Sequence, residues 1–221
     1  MKLVITSDCH GKLNLSNLPK GDVLIIAGDL LANRYGNRND DARYQLEELL
    51  AFDRACRHTQ FDRILLIAGN HDWVFERNKE ARHALKNITY LEDEAVEIDG
   101  VKFYGSPHQP EFFDWAFNLP RKGPELAGYW KRIPNDTEVL ITHGPPYGIL
   151  DRPFGRQDHA GCELLLERVQ QIKPRLHVFG HIHGSYGRVQ IDETLYVNAS
   201  LCNEVYRPVN PPHLIDLGTD P

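Results

Sequence analysis

The sequence predicts an α/β fold of mixed sheets covered by helices, and three observations carry that expectation. Five short apolar runs rich in Val, Ile and Leu (residues 3–5, 23–27, 64–68, 139–141 and 176–179) are each stopped by Gly, Asp or His-bearing clusters. Runs of this length and composition read as buried strands. Between some of them lie stretches with helical spacing, and elsewhere short alternating segments meet at tight-turn residues.

Taken in order, residues 3–5 and 23–27 are the first two strands, and 30–39 read as an irregular loop carrying Asn33, Gly36, Asn37 and Asn39. Residues 40–59 read as a helix, with Leu46, Leu49, Leu50 and Asp53 on one face and Phe52 and Cys56 beside it. After the third strand, a second helix is expected over about 73–86, rich in Glu, Lys, Arg and Ala. Segments 95–98 and 101–104, split by Asp99-Gly100, read as a hairpin with a tight turn. Residues 161–172 are a third helix, stopped before Lys173-Pro174. Segments 186–191 and 195–197 form a second hairpin around Asp192-Glu193, and 213–217 a last strand. With no repeat, low-complexity stretch or linker, residues 1–221 are expected to form one domain.

At 221 residues the chain is long enough for a full hydrophobic core. Apolar content of 41% with 25% charged residues fits a globular protein in water, and no apolar run approaches the roughly 18 residues of a membrane span. The start runs straight into a strand, which leaves no secretory leader, and the four cysteines (Cys9, Cys56, Cys162, Cys202) are dispersed with no C-x-x-C pair. A cytoplasmic location is therefore expected, the dispersed cysteines fitting a reduced protein better than a disulfide scaffold. A net charge of −6 argues against general nucleic-acid binding. Arg34, Arg38, Arg43, Arg152 and Arg156 are either a local positive rim or scattered surface arginines.

The chemistry sits where the runs end. Asp8-Cys9-His10, Gly28-Asp29, Gly69-Asn70-His71-Asp72, Thr142-His143-Gly144-Pro145-Pro146 and Gly180-His181-Ile182-His183 follow the five strands. Open α/β sheets bind ligands at the carboxyl ends of their strands. Imidazole, carboxylate and carboxamide together suit divalent cations such as Mn²⁺, Fe²⁺, Ni²⁺ and Zn²⁺. Seven such groups exceed one ion's needs and suit two ions sharing a carboxylate, a recurrent device for phosphate-ester hydrolysis. Asp8 and His10, and likewise His181 and His183, are expected to converge because alternate residues of an extended segment face the same way.

The ordered series D-x-H, G-D, G-N-H-D, T-H-G-P-P and G-H-x-H, spanning residues 8–183, resembles the calcineurin-like metallophosphoesterase superfamily. The resemblance implies a four-layer α/β/β/α sandwich of two mixed sheets flanked by helices. It implies a first metal on Asp8, His10, Asp29 and His183, and a second on Asp29, Asn70, His143 and His181, with Mn²⁺ the favoured ion. It also implies that a hydroxide held between the ions attacks phosphorus while His71 protonates the leaving oxygen. Asp72 is then either an orienting partner for His71 or a helix N-cap.

The stretches Gly28-Asp29-Leu30-Leu31-Ala32-Asn33-Arg34 and Gly69-Asn70-His71-Asp72 depart from the G-D-x-x-D-R-G and G-N-H-E of the family's protein phosphatases. The series from Thr142 to Asp151, together with Tyr196-Val197-Asn198-Ala199-Ser200 and the aromatic segment 112–118, is more similar to the small metallophosphoesterase-domain subgroup related to class III cyclic nucleotide phosphodiesterases. A phosphodiesterase acting on small phosphate esters or cyclic nucleotides is therefore expected. The alternatives are a phosphomonoesterase or nucleotide-pyrophosphate hydrolase on the same site, or a catalytically weak metal-binding scaffold. His108, just after a predicted strand, and the aromatics Phe112 and Trp115 are candidate substrate contacts; for the aromatics, packing onto the core is the alternative. Segments 106–118 and 144–159 are expected to wall the site into a pocket for small molecules.

Overall fold

The computed structural model describes residues 1–218; residues 219–221, the end of the single domain expected over 1–221, lie outside the described residues. Its strands are β1 (Lys2–Thr6), β2 (Val23–Ala27), β3 (Arg63–Ile67), β4 (Thr89–Tyr90), β5 (Glu94–Ile98), β6 (Val101–Ser106), β7 (Gln109–Pro110), β8 (Asn118–Leu119), β9 (Val139–Thr142), β10 (Leu176–Phe179), β11 (Gly187–Ile191), β12 (Thr194–Asn198) and β13 (His213–Asp216). The α-helices are α1 (Arg38–Cys56), α2 (Trp73–Arg77), α3 (Pro124–Arg132) and α4 (Glu163–Ile172). One sheet has the order β13-β1-β2-β3-β4 and the other β11-β12-β10-β9-β6-β5, with β7-β8 a small separate pair. Both large sheets are mixed: β1, β2, β3 and β4 run parallel with β13 antiparallel, and β6, β9, β10 and β12 run parallel with antiparallel β5 and β11 at the edges.

Side-chain alternation builds the layers. Leu3, Ile5, Val23, Ile25, Leu65 and Ile67 point into one cluster with Phe103, Val139, Ile141, Val178 and Val197 of the second sheet. The intervening Val4, Leu24, Ile26 and Leu66 pack with Leu49 of α1 and Val74 of α2. On the outer face of the second sheet, Tyr104, Leu140, Phe179 and Tyr196 pack with Leu126 and Trp130 of α3 and Leu165 and Val169 of α4. Three core clusters between four layers make the α/β/β/α sandwich. Strands apolar on both faces occur because each face has a partner layer.

The short strands β4, β7 and β8 were not expected, and three helices differ from expectation. The helix expected over 73–86 stops at Arg77: Asn78 leaves helical geometry and its side chain accepts the Glu80 N–H, so the chain resumes only as a short 3₁₀ turn at Ala81–Ala84. Helix α1 starts at Arg38 because Asn37 caps it, accepting the Asp40 N–H at 2.9 Å. Helix α3 was not among the expected elements. Its signals are Pro124 at the first turn, Glu125 behind it, Leu126 and Trp130 on one face, and Lys131 and Arg132 at the end.

Candidate metal centre

The five clusters sit together at the carboxyl ends of β1, β2, β3, β9 and β10, in turns rather than in extended chain. Asp8, His10, Asp29 and His181 all adopt left-handed backbone, with φ of 50°, 46°, 51° and 67°. This corrects the expected alternation along an extended D-x-H and H-x-H. The turns after β1 and β2 lie side by side, with Asp8 N–H on Gly28 O (3.0 Å), His10 N–H on Asp29 O (2.9 Å) and Gly11 N–H on Leu30 O (2.8 Å). Left-handed geometry costs a non-glycine residue about 1–2 kcal/mol, and such strain collects at functional sites. Gly28 and Gly180 permit the crowding: a Cβ on Gly28 would strike the His143 ring, and one on Gly180 would strike Asp8 Oδ2 and Ser7 Oγ.

Two groups of donor atoms result, joined at Asp29. In the first, His183 Nε2 is 3.2 Å from Asp8 Oδ1 and 3.3 Å from His10 Nε2, which lies 3.9 Å from Asp29 Oδ2. In the second, His143 Nε2 is 3.4 Å from Asp29 Oδ2 and 2.9 Å from Asn70 Oδ1, and His181 Nδ1 is 2.8 Å from that same oxygen. The outward atoms are already engaged. His143 Nδ1–H donates to Ala27 O (3.0 Å) and His183 Nδ1–H to Asn203 O (2.9 Å). Ser200 Oγ–H donates to Asp8 Oδ2 (2.8 Å) and the His71 backbone N–H to Asp29 Oδ1 (2.7 Å). Those contacts fix the ring orientations and leave the second ring nitrogens facing carboxylate and carboxamide oxygens, an arrangement that takes either a proton or a metal cation between them.

Buried charges show the same demand. Burial opposes protonation of His143 and His183, yet Asp29 beside the first and Asp8 beside the second outweigh it and lift both to about 9. Burial likewise opposes ionisation of Asp8 and Asp29, but the facing His183 and His143 hold both carboxyls below the usual range. His10 and His181 go the other way, pushed by burial to about 4 and about 3. Neutral imidazoles and ionised carboxylates are the forms that bind metal.

The remaining candidates divide. His71 Nε2 stands 4.0 Å from Asp29 Oδ2, with its ring against Trp115 at 4.3 Å between centroids. It sits at the margin of the ligand set, within metal-binding reach of His10 and Asp29. Asp72 holds the N-cap position of α2, as one of its two readings had it, but makes no capping bond: its carboxylate accepts the N–H groups of Leu30, Leu31 and Gly69 (3.3, 3.0 and 2.8 Å). It ties the loop after β2 to the turn after β3, and burial raises it to about 7. His108 turns away, bonded to Asp93 (3.0 Å) and stacked on Tyr129 (3.6 Å) instead of facing the cavity.

Above the donor atoms opens a cavity of about 570 Å³. Phe112, Phe113 and Trp115 line one wall, and Phe154, Arg156 and His159 the other, from the two segments expected to do so. The arginine rim is largely paired: Arg38 with Asp114, Arg34 with Glu48, Arg43 with Asp40 and Arg156 with Asp158. Sequence reasoning missed Asn203 and Tyr206. They enter from the loop after β12, which has no strand-end cluster to mark it.

A fold of two packed mixed sheets with this cluster at their strand ends is that of a metal-dependent phosphoesterase, and residues 1–185 match the family model for calcineurin-like phosphoesterases. The chain belongs to the calcineurin-like phosphoesterase family. It is 37% identical over 243 residues to the human metallophosphoesterase domain-containing protein 1, covering 99% of this chain and 71% of that one. A UPF0046 protein of Caenorhabditis elegans is 38% identical over 220 residues, with 92% and 71% covered. Among solved structures, the phosphopantetheinyl hydrolase of Mycobacterium tuberculosis shares the fold at 15% identity, with a TM-score of 0.59 over 100% of this chain and 98% of that one.

Proposed function

We propose that this protein is a dinuclear-metal phosphodiesterase of the cytoplasm acting on small phosphodiesters or cyclic nucleotides. The observation that carries it is Asp29: one buried carboxylate oxygen faces both donor groups at the base of a cavity sized for a small molecule. Asp8, His10, Asp29 and His183 hold one ion; Asp29, Asn70, His143 and His181 hold the other. Mn²⁺ is favoured, and Fe²⁺, Ni²⁺ and Zn²⁺ suit the same nitrogen and oxygen donors. Two such ions supply Lewis acidity towards the phosphoryl oxygens and a water acidic enough to attack near neutral pH.

The chain's own residues do the rest. His71 gives a proton from Nε2 to the leaving oxygen, its ring held by Trp115 and its backbone by Asp29 and by Gln45, whose Nε2 donates to the His71 carbonyl at 2.7 Å. Phe112 and Trp115 receive the organic group. Asn70 contributes a neutral ligand, which limits the charge at the centre. Four free, buried cysteines fit a reducing compartment, and the net charge of −6 disfavours long nucleic acids.

The test combines metal analysis with a substrate panel. Close to two ions per chain, and faster hydrolysis of bis-p-nitrophenyl phosphate or cyclic nucleotides than of p-nitrophenyl phosphate, are the expected results. Faster monoester hydrolysis would return the phosphomonoesterase reading, and saturation at one ion would end the dinuclear one.

A further inference from the structure

The loop after β12 forms a turn built on one residue. Asn203 Oδ1 accepts the N–H groups of Val205 (3.2 Å) and Arg207 (3.0 Å), and its N–H donates to Arg207 O (2.9 Å). Its carbonyl accepts two hydrogen bonds, from Tyr206 N–H (2.8 Å) and from His183 Nδ1–H (2.9 Å). The same peptide group thus orients a candidate ligand and poses Tyr206. The pose is strained, because Tyr206 has φ +57°, a region bulky residues avoid unless their surroundings enforce it. What the strain achieves is placement. The Tyr206 ring meets His10 edge-on at 4.7 Å and 87°, His183 at 5.6 Å and 89°, and His71 at 6.1 Å and 76°. Its outer side is open, the residue being 45% exposed. The other pair of imidazoles, His143 and His181, pack on each other at 5.0 Å, with Phe112 as the aromatic neighbour of His181.

We propose that Tyr206 is a cover over one half of the metal centre. Its ring covers Asp8 and His10, which stay out of the cavity wall, so that an ion held there exchanges slowly, while Asn70 and His181 of the other donor group line the cavity directly. Tyr206 acts as a positioning residue: it contacts ligand imidazoles and restricts the approach of water and chelators. The inference rests on the two-ion reading above.

The experiment follows release of Mn²⁺ from the loaded protein into excess chelator by electron paramagnetic resonance, with no substrate present. Wild type should release in two phases, and Asn70→Ala should retain the slow one. Tyr206→Gly accepts the left-handed backbone, removes the ring and avoids a folding penalty from strain; it should quicken the slow phase about 10–100-fold, the range typical when a ligand's supporting partner is lost. Tyr206→Phe keeps the ring and should restore slow release. A single phase in wild type, or a slow phase unaltered in Tyr206→Gly, overturns the inference while leaving the two-ion reading standing. Failure to take up Mn²⁺ at all would remove both.

Discussion

His71 and His177 show how position decides what a histidine does. His71 lies between Asp29 and the Trp115 ring at the cavity floor, near the donor set, its Nε2 4.0 Å from Asp29 Oδ2 and beyond hydrogen-bonding distance of it. His71→Ala should therefore keep close to two ions per chain and lower kcat by about 10²–10⁴-fold, the usual range for a general acid. The loss should shrink for p-nitrophenyl leaving groups; a collapse of metal content instead would make His71 a ligand. His177 is fully buried in β10, where its Nε2 meets Thr142 Oγ1 at 2.9 Å and that hydroxyl donates to Gly144 O at 2.8 Å. Burial pushes its pKa down to about 3, against about 6.5 for an unfolded chain. The folded state refuses a proton that the unfolded state accepts. Stability present above pH 6.5 is thus lost as pH falls towards 3, by about 1.4 kcal/mol per pH unit. In chelator, urea unfolding of His177→Gln should show a slope between pH 6 and 4 that is smaller by about that amount; equal slopes would mean His177 does not sense the acid limb.

At the scale of elements, the five strands that end at the site were legible because each is apolar on both faces and ends in a turn that bears a polar side chain. Leu24 and Ile25 serve different layers, yet both read simply as buried. Seven donor-bearing residues stood out for the same reason, and the structure gathers all seven. What was not legible depended on tertiary contacts. The break at Asn78 comes from one side-chain acceptor inside a helix-like composition. The left-handed turns at Asp8 and His181 go with contacts between turns, Asp8 N–H on Gly28 O within one sheet and His181 N–H on the Asp8 carboxylate between the two, which spacing along the chain does not reveal. Tyr206 reaches the site through a loop alone. The contact between sheets has its own weak point at Gly105 of β6, where an added Cβ would lie 2.5 Å from Leu91 Cβ and 2.7 Å from Ile67 Cγ2. Gly105→Ala should overpack that seam and cost about 1–3 kcal/mol, read as a fall in Tm of roughly 2–4 °C per kcal/mol for a chain of this size. An unchanged Tm would show that the sheets can part there freely.

For the whole molecule, the candidate metal centre lies where both sheets end, so its charge balance bears on the entire sandwich. Asp8 is fully buried and Asp29 nearly so, and in the metal-free chain His143 and His183 must stay protonated to offset them. Divalent ions, when bound, would replace those protons and cross-link turns from β1, β2, β3, β9 and β10, contacts that unfolding would abolish. An ion at a hundred times its Kd stabilises the folded state by about 2.7 kcal/mol. Two ions should accordingly raise Tm on the order of 10–20 °C over the chelated protein, given about 2–4 °C per kcal/mol. Asn70→Ala, which leaves the Asp8–His10–Asp29–His183 set complete, should keep part of that rise. Asp29→Ala should lose nearly all of it, since its carboxylate faces both donor groups. Calorimetry with and without chelator separates these outcomes. A Tm indifferent to metal in the wild type would mean that the two sheets carry the fold unaided and that the centre binds its ions too weakly to matter for stability.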